Sequence, residues 1–144
     1  MKEFEDNSNK TAKTLPELLV RNATRFGDRR VAMREKEFGI WQSVTWQQYL
    51  EHVRDFSLGL ISLGLKSGDT IGIIGGNRPE WIIAALGVIG AGAAVTPLDT
   101  QITIEALERV LRDSGARFIF ITTNYLNRLR QLNIELRPIL FDVE

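Results

Sequence analysis

From Thr70 onward, short runs that are apolar on both faces alternate with stretches of helical periodicity, and no other feature of this chain restricts its fold as tightly. Thr70-Ile71-Gly72-Ile73-Ile74 has no polar side to turn toward water. Such a strand is stable only when both its faces are covered, as happens in a parallel sheet lying between helices. The spacing predicts strands over 70–75, 93–97, 117–122 and 139–142, with helices over 79–90, 103–113 and 124–132. Strand, helix and strand in succession read as βαβ crossovers.

The chain before Thr70 has a different pattern. Thr14-Leu15-Pro16-Glu17 combines a capping hydroxyl, a proline in the first turn and an acid three residues after the cap, which together begin a helix. Leu15, Leu18, Leu19 and Phe26 are its expected apolar side. Two short strands, 31–34 and 40–44, follow around a turn over Glu35–Gly39, giving a hairpin. Thr45-Trp46-Gln47-Gln48 repeats the capping logic for a helix that ends at Gly64. Its apolar stripe is Tyr49, Val53, Phe56, Leu60 and Leu63; Gln48, His52, Asp55 and Gly59 form another face. The expected fold class is therefore α/β, a Rossmann-like, mostly parallel sheet built of βαβ units, preceded by a helix and a β-hairpin. Residues 1–13 read as a polar, frayed tail and 14–144 as one folded region, within the size of an ordinary domain.

Charge and composition exclude several functions. Eighteen basic and eighteen acidic residues cancel, so no global field draws the chain to nucleic acid. With no cysteine there is no disulfide framework, thiolate metal site or cysteine nucleophile, which suits a cytoplasmic location. Trp81 to Val95 is uncharged over fifteen residues, but it carries Gly87, Gly90 and Gly92 and falls short of the roughly 20 apolar residues of a spanning helix. It reads as a buried helix followed by a buried strand, not a transmembrane segment.

The sites that first suggest chemistry mostly have plainer explanations. Gly72, Gly75 and Gly76 lie between a strand and a helix, where backbone amides can cradle phosphate. Pro79, which lacks an amide proton, and Glu80, which repels anions, follow at once, so a tight turn and close strand packing are expected instead. Gly87, Gly90 and Gly92 let a helix end and a strand enter at close range. No Walker-type loop is present. His52 is the one histidine and stands on a polar helix face, as a solvated residue does. The acids do not fall at metal-ligand spacing, and Asp69 precedes a strand instead of ending one. Asn77 and Asp99 remain. Each follows a strand at the edge where open α/β sheets bind ligands, and each is a candidate substrate-binding residue as well as a candidate cap, Asn77 of a helix and Asp99 of a turn.

A series of motifs then resembles one family, the AMP-forming acyl-CoA synthetases, most nearly the long-chain fatty-acid type. Val44-Thr45-Trp46-Gln47-Gln48-Tyr49-Leu50 resembles the family's first shared motif. Leu63-Gly64-Leu65-Lys66-Ser67-Gly68-Asp69-Thr70-Ile71-Gly72-Ile73 is similar to its helix-to-strand passage, and Asn77-Arg78-Pro79-Glu80-Trp81 to the form seen in long-chain enzymes. The segment from Gly87 to Asp99 is similar to the second shared motif, and Leu111 to Ile119 fits the family's next segment. The resemblance implies a carboxylate attacking ATP to give an acyl-adenylate and pyrophosphate, then transfer of the acyl group to the CoA thiol. Fatty acid, ATP, magnesium and CoA are thus implied for a full-length enzyme. The family's phosphate loop, nucleotide contacts and C-terminal lysine have no counterpart here, and Thr100-Gln101 stands where some relatives carry a basic residue toward CoA. The expectation is an incomplete N-terminal subdomain, inert alone and holding no cofactor itself. The alternative is a stand-alone binding or oligomerisation module that self-associates through an unfinished sheet.

Overall fold

The computed structural model describes residues 11–140, and the chain divides into two compact units, 1–52 and 53–144. In the first, helix α1 spans Leu15–Phe26 and strands β1 (Val31–Glu37) and β2 (Ile40–Thr45) form an antiparallel hairpin. Helix α2, Trp46–Ser62, begins in this unit and ends in the second.

Both predicted caps are present. The Thr14 hydroxyl accepts the Glu17 amide at 3.3 Å, while the Glu17 carboxylate accepts the Lys13 amide at 2.7 Å. At α2 the box is reciprocal: the Gln48 amide donates to Thr45 Oγ1 at 3.2 Å and the Thr45 amide to Gln48 Oε1 at 2.9 Å. Thr45 also donates its hydroxyl proton to Asp28 Oδ1 at 2.7 Å, which fixes the end of the hairpin to the turn after α1. Leu19 and Ala23 are the buried side of α1; Leu15, expected there, faces outward because it stands at the first position, above the covered stripe. Phe26, Trp46 and Tyr49 stack in sequence with ring centroids 5.9 and 6.2 Å apart. Burial pushes the Tyr49 phenol up to about 12.

The hairpin turn is tighter than the predicted five residues. β1 runs on to Glu37 and β2 begins at Ile40, leaving Phe38 and Gly39 at φ 47° and 81°. Two positive φ values in a two-residue loop match the right-handed twist of paired strands, and asparagine or aspartate before glycine is the usual solution. A phenylalanine in the left-handed region costs roughly 1–2 kcal/mol. Nothing in the packing repays that cost, since Phe38 is 97% exposed.

The second unit is the expected parallel sheet. Strands β3 (Thr70–Ile74), β4 (Ala94–Leu98), β5 (Phe118–Ile121) and β6 (Arg137–Leu140) lie in the order β4-β3-β5-β6, every pair parallel. Helix α3 (Pro79–Gly90) connects β3 to β4, and α4 (Ile104–Ser114) connects β4 back across β3 to β5. These two crossovers run in opposite directions, so a common right-handed sense puts their helices on opposite faces. One face is accordingly packed by Leu60, Ala84 and Val88 against Ile71, Ile73, Phe118 and Phe120. On the other, Leu107 and Leu111 of α4 cover Ile74, Leu98, Ile119 and Ile121.

Two glycines allow this layering. A Cβ on Gly72 would stand 2.9 Å from Leu111 Cδ2, and one on Gly87 would stand 2.5 Å from Phe56 Cδ1. The Phe56 ring therefore rests on bare α3 backbone and meets Phe120 edge-on at 4.8 Å. Beside it, Ser57 donates to the Gly87 carbonyl at 2.7 Å. On the α4 side, Glu108 is held below the usual carboxylate range by its hydrogen bond from Arg112 and then by the Asn133 amide, which ties α4 to the segment before β6.

Differences from the predicted elements lie at the boundaries and near the end. The helix expected over 124–132 is a turn of 3-10 helix, Thr123–Tyr125, and one α turn, α5 (Leu126–Leu129). The last strand occupies 137–140 instead of 139–142, and 141–142 lie outside the described residues. Pro138 is accepted within it because β6 is an edge strand among the described residues, where a missing amide proton breaks no ladder on the open side.

Gly87→Val is expected to lower stability by about 1–3 kcal/mol, a fall in Tm of roughly 3–10 °C, as the new methyl groups displace the Phe56 ring. Adding Phe56→Ala to that variant should cost less than Phe56→Ala alone, because the ring it removes is already displaced. Thermal melts of the two single variants and the double variant measure the coupling; strict additivity contradicts the contact.

Candidate functional site at the C-terminal edge of the sheet

Connections leave β3 and β5 in opposite directions, one toward β4 and the other toward β6. Between two such strands no crossover covers the C-terminal edge, and open α/β sheets bind ligands in the crevice that results. The register pairs Ile74 with Leu98 on one side and with Ile121 on the other. Gly75, Asp99 and Thr122 are therefore the first residues beyond three adjacent strands.

Asn77 and Asp99 both belong to this edge, Asn77 beyond β3 at the crevice and Asp99 beyond β4, one strand away. Asn77 is exposed and is not the helix cap; Arg78 occupies that position at φ −134° without a side-chain capping bond. The reason is Pro79, whose fixed φ starts the helix at itself and makes the residue before it extended. Asp99 does close a turn: its carboxylate accepts the Gln101 amide at 2.7 Å and its carbonyl the Ile102 amide at 3.2 Å. Arg78 Nε is 3.3 Å from Glu80 Oε2, so the charge nearest the start of α3 is already engaged by an acid. With that acid in the first turn and proline at its head, this helix start does not suit phosphate.

Three residues at this edge, Thr122, Asn124 and Arg128, do not stand out in the sequence. Thr122 is the one buried polar residue among those described, and its hydroxyl donates to Asn124 Oδ1 at 2.6 Å. The polar run Thr122-Thr123-Asn124 after an apolar strand is a signal that resembles the one at Asn77. Arg128 carries no such signal. Its Nη1 donates to the Thr100 carbonyl at 2.9 Å, which joins the loop after β4 to α5 after β5. That contact depends on the strand order, which brings residues 28 apart to one edge.

Away from the edge, a groove of about 390 Å³ lies beside the C-terminal half of α2 and β6, lined by Phe56, Leu60, Leu63 and Ile139 with Asp55 at its margin. His52 is exposed on α2. Among the described residues no three acidic or imidazole groups gather as metal ligands, and no helix is long and apolar enough to cross a membrane. Glu80 and Asp99 are engaged locally, so no step is assigned to magnesium on these residues.

Residues 19–140 match the family model described as AMP-binding enzyme. The chain belongs to the AMP-binding enzyme family. Among its relatives, the long-chain-fatty-acid–CoA ligase ACSBG2 of Rattus norvegicus is 32% identical over 111 residues, 77% of this chain and 16% of that protein. The long-chain-fatty-acid–CoA ligase FadD15 of Mycobacterium tuberculosis is 35% identical over 86 residues, 60% of this chain and 14% of that protein. This member of the family thus spans about a sixth of the length of such relatives. An acyl-CoA synthetase of Brucella canis shares the fold with a TM-score of 0.76 at 23% identity, over 88% of this chain and 24% of that one. The N-terminal subdomain of Klebsiella oxytoca NpsA, solved with 3-hydroxybenzoyl-AMSN, superposes with a TM-score of 0.68 at 25% identity, over 76% of this chain and 26% of that one. The parallel four-stranded sheet and antiparallel hairpin are those of the N-terminal subdomain of adenylate-forming enzymes.

Arg128→Ala is expected to cost about 1–2 kcal/mol in chemical denaturation and to speed hydrogen exchange at the Gln101 and Ile102 amides, because the loop after β4 loses its tie to α5. Asp99→Asn should leave those amides protected, since asparagine accepts in the same turn. Unchanged exchange in Arg128→Ala would show that the guanidinium does not hold the loop.

Proposed function

We propose that this chain is the N-terminal portion of an ATP-dependent, AMP-forming long-chain fatty acyl-CoA synthetase. The observation that carries the proposal is the match of residues 19–140 to the AMP-binding family, together with long-chain-fatty-acid–CoA ligases among the relatives at 32–35% identity. In this reaction the fatty-acid carboxylate attacks the α-phosphorus of ATP and expels pyrophosphate. The CoA thiol then attacks the acyl carbonyl, and AMP leaves. In the full-length enzyme magnesium would neutralise the phosphate charge, and residues outside 1–144 would bind the nucleotide. Asn77, with its exposed carboxamide at the crevice, and Asp99, on the adjoining turn, face substrate in this proposal and line the entrance to a site completed by later segments. A cytoplasmic setting accords with the absence of cysteine.

The 144-residue chain alone is expected to release no pyrophosphate from ATP, magnesium, CoA and a panel of fatty acids. Exchanged for the corresponding segment of FadD15, it should support fatty-acid-dependent pyrophosphate release. Robust turnover by the chain alone, or a folded but silent chimaera, overturns the proposal.

The groove beside α2 and β6, with Leu63 46% exposed in its wall, favours a second reading as a binding or oligomerisation module. Sedimentation separates the two: a concentration-independent monomer removes the module reading, and a defined dimer supports it.

A further inference from the structure

The β1–β2 hairpin ends in an apolar apex. Phe38, Ile40 and Trp41 are 97%, 64% and 63% exposed, and they lie within four consecutive residues. Alternation along the strands sorts the flanking charges by face. Arg34 pairs with Ser43 and Lys36 with Trp41, so these four side chains share one side of the hairpin, and all four are exposed. The acids Glu35 and Glu37 fall on the opposite side, which also carries exposed Ile40, the partner of Glu37, and half-buried Met33 and Val44. The outward side therefore holds two cations, a tryptophan and no acid, although the chain as a whole is neutral. Neither Arg34 nor Lys36 is in an ion pair among the described residues; Lys36 lies over the Trp41 ring at 6.0 Å. At the apex Phe38 is in the left-handed region, where asparagine or glycine would be unstrained.

From this we infer that the hairpin is a docking element for an anionic phospholipid surface. Phe38 at the apex and Trp41 on the basic side enter the headgroup level, where tryptophan is at home and apolar groups gain by leaving water. Arg34 and Lys36 meet the lipid phosphates. A strained phenylalanine in the two-residue turn puts an apolar ring at the very end of the hairpin. Single-stranded nucleic acid also takes cations and aromatic rings. Two cations are a short track for its phosphate backbone, and Trp41 is the one aromatic ring on their side. Docking of this kind does not depend on the proposed catalytic function.

Co-sedimentation of the chain with vesicles of phosphatidylcholine, with and without an equal share of phosphatidylglycerol, tests it. Partition onto the anionic vesicles alone is expected, weakening with added salt. Arg34→Gln and Lys36→Gln should each lower the partition coefficient about fivefold. Phe38→Asn should lower it roughly tenfold while keeping or raising Tm, because asparagine relieves the turn. A merely structural role for Phe38 predicts no loss of partition. Failure to bind anionic vesicles overturns the inference, as does partition unchanged by Phe38→Asn. Binding of polyuridylate without vesicle binding overturns it too, as does a sedimenting dimer that dissociates in Phe38→Asn.

Discussion

Within the second unit, everything depends on covering β3 from both sides. Ile71, Ile73 and Ile74 are at most 1% exposed, and each such side chain contributes about 1.5–3 kcal/mol by leaving water. A strand with no polar face cannot sit at the surface or in a one-sided sheet. It requires helices above and below, and strands to left and right. Crossovers of one handedness meet the first need by leaving in opposite directions, which also opens the crevice at the C-terminal edge. The candidate site is thus a by-product of burying β3, before any residue is chosen for chemistry.

Close packing sets the detail. Gly72 makes room for Leu111 of α4 on one face, while Gly87 makes room for Phe56 of α2 on the other. Of the glycines that suggest a phosphate-binding loop, Gly72 is thereby used in packing. Polar groups at the edge are paired locally, Thr122 with Asn124, Asp99 with Gln101 and Arg128 with Thr100. Such pairing holds the rim of that edge in a defined arrangement.

The first unit carries a contrasting feature. Its hairpin spends stability at Phe38 and exposes the side chain that incurs the strain. Strain without compensating packing points outward, to something the apex meets in use. The exposed basic side of the hairpin narrows that to an anionic, partly apolar surface.

Periodicity alone determined the α/β class, the parallel sheet and the helix starts, because two-faced apolar strands and capping boxes are local statements about burial and hydrogen bonding. The ordered motifs determined the family. Asn77 and Asp99 were legible as edge residues since each closely follows an apolar strand. Tertiary structure decided the strand order, and with it which ends adjoin: Thr122 stands beside the crevice, and Arg128 reaches Thr100, only because β5 lies on the far side of β3 from β4. It also decided that the hairpin turn has two residues, which placed Phe38 at an apex. Register and crossover direction depend on contacts between segments far apart in the chain, and a local pattern of polar and apolar residues carries no record of them.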